Sequence, residues 1–254
     1  MRGLSIISVA GLITASLFAQ PPGPRGGHGD FAVVRAEFGG SNKVVPGAPY
    51  SAQSVTQFTQ TLPNGDHIQR TTNASIARDS QGRTRTERSF AAIGPLSAEK
   101  GGARTVMIFD PVASKSYVLD AGSHTARSMP VRAEGANARQ FRNSSSAKTE
   151  DLGTQVVQGV SAQGKRITRT IPAGKEGNEK EIDIVTETWN SPDLQVVVMS
   201  KTSDPRFGES VYQLNAITRT EPDPALFTVP SDYAIKEGRP FRQGEARRGP
   251  APAQ

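Results

Sequence analysis

From about residue 54 to residue 235, polar and apolar residues alternate in one short run after another, and each run ends in a turn signal. A period of two sends successive side chains to opposite faces, so the pattern predicts antiparallel strands with one wet face. The first hairpin is the clearest. Residues 54–62 place Thr56, Phe58, Gln60 and Leu62 on one side. Pro63-Asn-Gly-Asp66 follows, and a two-residue Asn-Gly turn requires φ > 0 at both central positions. The return strand 67–78 places Ile68, Thr72, Ala74 and Ile76 on one face. Asp79-Ser-Gln-Gly82 then turns into 83–88, where Arg83, Arg85 and Glu87 share a side.

The same punctuation predicts strands at 104–110, 115–120 and onward to Met129, then at 153–158, 165–171, 181–190, 194–199 and 209–221, with Ser161-Ala-Gln-Gly164 read as a turn. Leu194-Gln-Val-Val-Val-Met199 is apolar on both faces, which predicts a central strand. Between Leu214 and Ile217 the alternation slips, which predicts a bulge. Residues 130–151 are polar and rich in Ser, Ala and Arg, the composition of a loop or a frayed short helix. The fold class expected is mainly β: a single strongly curved antiparallel sheet, a half-barrel-like meander of ten or eleven strands with little helix.

The flanks differ in composition. Arg2, the apolar stretch from Leu4 to Phe18 and Ala19 form the pattern of a signal peptide over 1–19, too short for the ~20 residues of a spanning helix. Residues 20–49 are dense in Pro and Gly, a linker composition, and 236–254 make a basic tail expected to be disordered around a β domain at 50–235. There is no cysteine among the 254 residues. That excludes disulfides, thiolate metal sites, a cysteine nucleophile and the lipid-bearing cysteine of a lipoprotein. The expectation is an exported chain, periplasmic or secreted, with no transmembrane segment after signal cleavage.

The meander, the Asp-Ser-Gln-Gly-Arg turn at 79–83, the Trp189-Asn-Ser-Pro-Asp193 turn and the closing Pro224-Ala-Leu-Phe-Thr-Val-Pro230 together resemble exported bacterial proteins of the lipoprotein-carrier (LolA-like) half-barrel superfamily. More closely, the chain resembles uncharacterised secreted proteins of soil bacteria with the same closing pattern. The resemblance covers roughly residues 50–235. It implies a sheet wrapped on a helical plug, with acyl chains held in the concave face, although no segment here has the pattern of a plug helix. The closing Asp223-Pro-Ala-Leu-Phe227 is more simply a single turn that tucks Leu226 and Phe227 into the sheet.

Candidate chemistry is sparse. His28, His67 and His124 have no ligand spacing, so no metal and no cofactor are expected. There is no Gly-x-Ser-x-Gly elbow and no phosphate-binding glycine loop, and Asp79 and Asp183 fit solvated turn and strand carboxylates, so no catalytic residue is assigned. With a net charge of +6 and 21 Arg among 30 basic residues, the Arg-rich third strand is the strongest polar feature. Arg70, Arg83, Arg85 and Arg88 are the candidates for meeting an anionic partner, against the plainer role of cross-strand Arg–Glu pairing. Nucleic acid is not an expected partner. Trp189 is expected at a sheet edge, packed on Pro192, with a stacking platform as the functional alternative. The function these features support is a non-enzymatic exported scaffold for a lipid or other amphipathic ligand. The alternative is an envelope protein that binds anionic polymers through its Arg-rich strands and tails.

Overall fold

Turn chemistry sets where the strands break. Strand β1 (Tyr50–Thr61) and β2 (His67–Arg78) are joined by Pro63-Asn-Gly. There Gly65 N–H donates to Leu62 O and Leu62 N–H donates to Asp66 O, and only Gly65 takes a positive φ, 89°. The expected two-residue turn is thus a longer one. Pro63 holds its own φ near −65°, which suits the first corner of a type I turn and forbids the left-handed one. The same form recurs between β2 and β3 (Thr84–Ser89): Gly82 N–H donates to Asp79 O, Asp79 N–H donates to Arg83 O, and Gly82 has φ 82°.

In the computed structural model the described residues are 44–89, 104–131 and 147–238, and their strands form one open sheet. The segment expected to be a signal peptide, most of the expected linker, His28, residues 90–103 and 132–146 and the tail from 239 onward lie outside them. The chain continues through β4 (Arg104–Asp110), β5 (Lys115–Asp120), β6 (Thr125–Pro130), β7 (Ala147–Val157), β8 (Val160–Ile171), β9 (Ile182–Ser191), β10 (Val196–Asp204), β11 (Gly208–Thr218) and β12 (Ala234–Glu237). The spatial order is β12-β6-β5-β4-β3-β2-β1-β11-β10-β9-β8-β7. Two antiparallel meanders, β1 to β6 and β7 to β11, are therefore zipped together where β11 pairs with β1. β12 is the exception: it adds to the edge of β6 in parallel.

The mainly β, curved, open sheet is as expected, with twelve strands rather than ten or eleven because β12 follows the closing turn. Three details differ. The turn expected at 161–164 lies at Gln158–Gly159, with φ 50° and 78°, the two left-handed positions of a two-residue hairpin. Residues 147–151 are strand, not loop, and pair with β8. β10 lies inside the sheet but ninth of the twelve strands, and β2 and β1 hold its middle. The slip foreseen near Leu214 is present: the β1–β11 register shifts opposite Ser51/Gln53, and Ala216 takes φ 51°.

Curvature has a direction. Along β1, Tyr50, Ala52, Ser54 and Thr56 share one face, and all four are buried. On that face the Arg78 guanidinium, opposite Tyr50, reaches the carbonyl of Leu194 in the β9–β10 turn. In a flat sheet those strands stand about 14 Å apart at ~4.8 Å per strand, so the sheet bends toward this face. It is the concave one.

Candidate binding face

Register partners share a face, so the concave surface can be read row by row across the strands. One row runs Ala52, Ile76, Thr86, Met107, Val118, Arg127 from β1 to β6. Its neighbour runs Tyr50, Arg78, Thr84, Phe109, Ser116, Met129. A third runs Ser54, Ala74, Arg88, Thr105, Asp120, Thr125. On the other side of β1, Leu214 lies opposite Ser54 and Tyr212 opposite Thr56. Around β1 the lining mixes Ala52, Ser54 and Thr56 with Tyr50, Tyr212 and Leu214, and over β4 to β6 it is apolar: Met107, Phe109, Val118 and Met129. These four are half-buried.

β4 explains why this matters. Val106-Met107-Ile108-Phe109 is apolar without a break, so both faces of the strand want cover. On the convex face the cover is present: Val106, Ile108, Leu119 and Ala126 form a buried cluster with Tyr117, Val229 and Tyr233. Val229 and Tyr233 come from the closing segment, which crosses that face. The concave residues of β4 and β5 belong to neither buried cluster.

Two tyrosines mark the electrostatics of the concave face. Burial pushes the Tyr212 phenol far up, nearby Tyr50 adds to the effect, and the Arg88 charge opposes it. Burial likewise raises the Tyr50 phenol against the pull of Arg78, whose guanidinium lies 4.8 Å from the Tyr50 ring centre. Burial lowers both Arg88 and Arg78, partly offset by Tyr212 and Tyr50 respectively. Ser54 Oγ is buried with no hydrogen-bond partner among the described residues.

The four arginine candidates do not form one patch. Arg70 is exposed on the concave side opposite Phe58, and Arg88 is on the same side opposite Ala74. Arg83 and Arg85 are convex. Arg83 Nε donates to Asp79 Oδ2 at 2.5 Å and Arg85 Nη2 to Glu87 Oε2 at 3.1 Å. Arg104 also pairs with Glu87. Trp189 is not at an edge. It is buried in β9 between β8 and β10, and its ring lies over Gly164, where a Cβ would come within 2.5 Å. His67 meets Thr61 at 3.2 Å, and Thr170 donates to Asp183 at 2.5 Å. Among the described residues no three His, Asp or Glu side chains gather into a metal-holding group. Sequence reasoning passed over Tyr212, Met107, Phe109 and Val118. The unbroken apolar run at 106–109 was the signal that would have found Met107 and Phe109, and Val118 with them as the cross-strand partner.

The chain matches no family model and no curated protein. Its fold is similar, at low identity, to several solved structures. One is the Pseudomonas aeruginosa MucA/MucB complex (12% identity, TM-score 0.42, covering 74% of this chain and 58% of that chain). Another is an uncharacterized conserved protein from Thermus thermophilus (10% identity, TM-score 0.42, covering 82% and 98%). A third is a LolA superfamily protein from Nitrosomonas europaea (9% identity, TM-score 0.32, covering 79% and 97%). This chain spans less than two thirds of the first of these.

Proposed function

We propose that the protein is an exported, non-enzymatic scaffold that holds the acyl part of a lipid or similar amphipathic molecule against its concave face. The observation that carries this reading is the half-buried concave group Met107, Phe109, Val118 and Met129 on β4 to β6, strands already covered on their other face by the closing segment. Apolar surface on both sides of one strand is stable when both sides are shielded from water. An acyl chain lying across β4 and β5 shields the second side.

Binding to anionic polymers through the Arg-rich strands draws less support. Arg83 and Arg85 direct donors to Asp79 and Glu87, on the face opposite Arg70 and Arg88.

Displacement of a fluorescent acyl probe by fatty acids of increasing length tests the reading. Each buried methylene contributes about 0.8 kcal/mol, so affinity should rise about fourfold per CH2 until the face is filled. Met107→Glu and Val118→Glu should each weaken binding by about tenfold or more, because a carboxylate must then be desolvated beside the chain. A folded protein that takes up no probe, or binds it equally after both substitutions, contradicts the reading.

A further inference from the structure

The closing segment behaves like a bound peptide. After β11 the chain leaves the sheet at Arg219, makes the 3-10 turn Pro224–Phe227 and crosses the convex face to β6. Its anchors are aromatic and β-branched: Phe227 is 2% exposed, and Val229 and Tyr233 pack on the cluster of Val106, Ile108, Leu119 and Ala126. It then adds four residues as a strand, with Ala234 N–H donating to His124 O at 2.9 Å and Gly238 N–H to Ser128 O at 2.7 Å. Side-chain anchors in an apolar groove followed by main-chain pairing at a sheet edge are how extended peptides dock on sheets.

The hold on this segment is light. Between residues 219 and 233 the backbone bonds are local: Leu226 to Asp223, Thr228 to Ala225 and Tyr233 to Pro230. The polar ties to the sheet are exposed ones: Ser80 N–H and Oγ to Glu221 (3.0 and 3.1 Å), Arg85 Nη1 to Leu226 O (3.2 Å), Arg219 Nη2 to Asp193 (3.3 Å) and His124 to Asp232 (2.8 Å). Exposed pairs of this kind contribute little. β12 is exposed at all four positions, with Ile235 59% exposed. No other described strand takes its register from β12, because β4, β5 and β6 pair with one another through their own turns. Local backbone bonds, exposed polar ties and a fully exposed edge strand mark a unit that opens before the rest.

We propose that the convex face of β4 to β6, with the edge of β6, is a peptide-docking groove occupied at rest by residues 219–238. This segment opens as a unit to admit an extended peptide of the same pattern, an aromatic anchor, a β-branched residue and a second aromatic followed by a short strand. The groove is distinct from the concave face and stands or falls independently of it.

Hydrogen exchange on the full chain, read by mass spectrometry, is the first arm. Amides of 226–238 should exchange together and faster than those of β4 and β5. The second arm titrates a fluorescein-labelled peptide of residues 221–238 into the full chain and its Phe227→Ala variant. Loosening the resident segment raises the open fraction, so the variant should bind the peptide about tenfold tighter than the unmodified chain. A peptide lacking both aromatic anchors should not bind. If Phe227→Ala does not fold, Gly238→Val replaces it: a Cβ there meets Arg127 Cγ at 2.8 Å and Ser128 O at 3.0 Å, which loosens the β12 end. Exchange of 226–238 only in step with β4 and β5 overturns the proposal. So does a folded variant whose segment opens without gaining affinity for the peptide.

Discussion

A guanidinium taken out of water is tolerated only when its donors are met, and Arg78, 5% exposed, meets them on backbone oxygen. Its Nε and Nη2 donate to Ala48 O at 3.0 and 2.8 Å, and Nη2 also reaches Leu194 O. One side chain thus ties the approach to β1 and the β9–β10 turn to the end of β2. Hydrogen bonds from charged groups contribute roughly 1.5–3 kcal/mol each, so Arg78→Ala should lower unfolding free energy by about 3 kcal/mol or more. Arg78→Lys should recover little, because a single ammonium cannot replace the planar fork. Denaturant midpoints of the three proteins check this. Gly164 gives a second residue test. Gly164→Ala pushes a Cβ into the Trp189 ring, so stability should fall by about 1–3 kcal/mol and the single tryptophan's emission should shift red. The tyrosines supply a pH test. Tyr50 and Tyr212 have raised folded pKa values, so the folded state binds their protons more tightly than the unfolded chain. That contribution is complete below the ordinary phenol value of about 10 and is lost as pH rises beyond it. Absorbance at 295 nm should show two of the four tyrosines ionising only as circular dichroism reports unfolding. Ionisation of all four near pH ~10 in a folded protein contradicts the assignment.

At the scale of elements, two of the three turn motifs that carry the resemblance, 79–83 and the closing segment, touch each other. Asp79, 2% exposed, accepts from Gln81 N–H at 3.0 Å and Arg83 N–H at 2.8 Å and pairs with the Arg83 side chain. Arg83 lies 5.2 Å from the Phe227 ring centre, and Ser80 N–H donates to Glu221 at 3.0 Å. The 79–83 turn is a receptacle for the closing segment. Asp79→Ala should therefore cost about 2–4 kcal/mol and release the closing segment to limited proteolysis while β4 and β5 stay protected. A variant as protease-resistant as the parent speaks against that linkage. Asp204 offers an acid test: burial opposes its charge, but hydrogen bonds from Arg206 outweigh this and keep its pKa low. Its contribution is present above the ordinary carboxylate range and lost as pH falls through the lowered value, so Asp204→Asn should flatten the stability loss below pH ~4. Such turn-level detail was partly legible. Gly and Pro marked most hairpins, and the bulge before Ile217 showed as broken alternation. The Gln158–Gly159 turn was obscured by a nearby Ser-Ala-Gln-Gly, whose glycine serves the Trp189 ring instead. Leu226 was expected inside with Phe227, yet it is 38% exposed, because one 3-10 turn points only one of the two inward. Pairings that skip along the chain, β11 to β1 and β12 to β6, leave no local mark in a sequence.

Across the whole molecule, two meanders joined at β1–β11 make an open sheet that bends toward Tyr50, Ser54 and Tyr212. Its convex side is covered over β4 to β6 by the closing segment. Its concave side carries half-buried Met107, Phe109, Val118 and Met129 over β4 to β6. The bend and the alternation were legible as a pattern. Which face each apolar residue takes required the register. The most direct test is photolabelling with a long-chain fatty acid that bears a diazirine near its methyl end, followed by residue-level mapping of the adducts. The account predicts adducts on concave side chains, Met107, Phe109, Val118 or Met129, competed away by unlabelled fatty acid. Adducts confined to the convex Val106, Ile108 and Leu119, or scattered without competition, would contradict it.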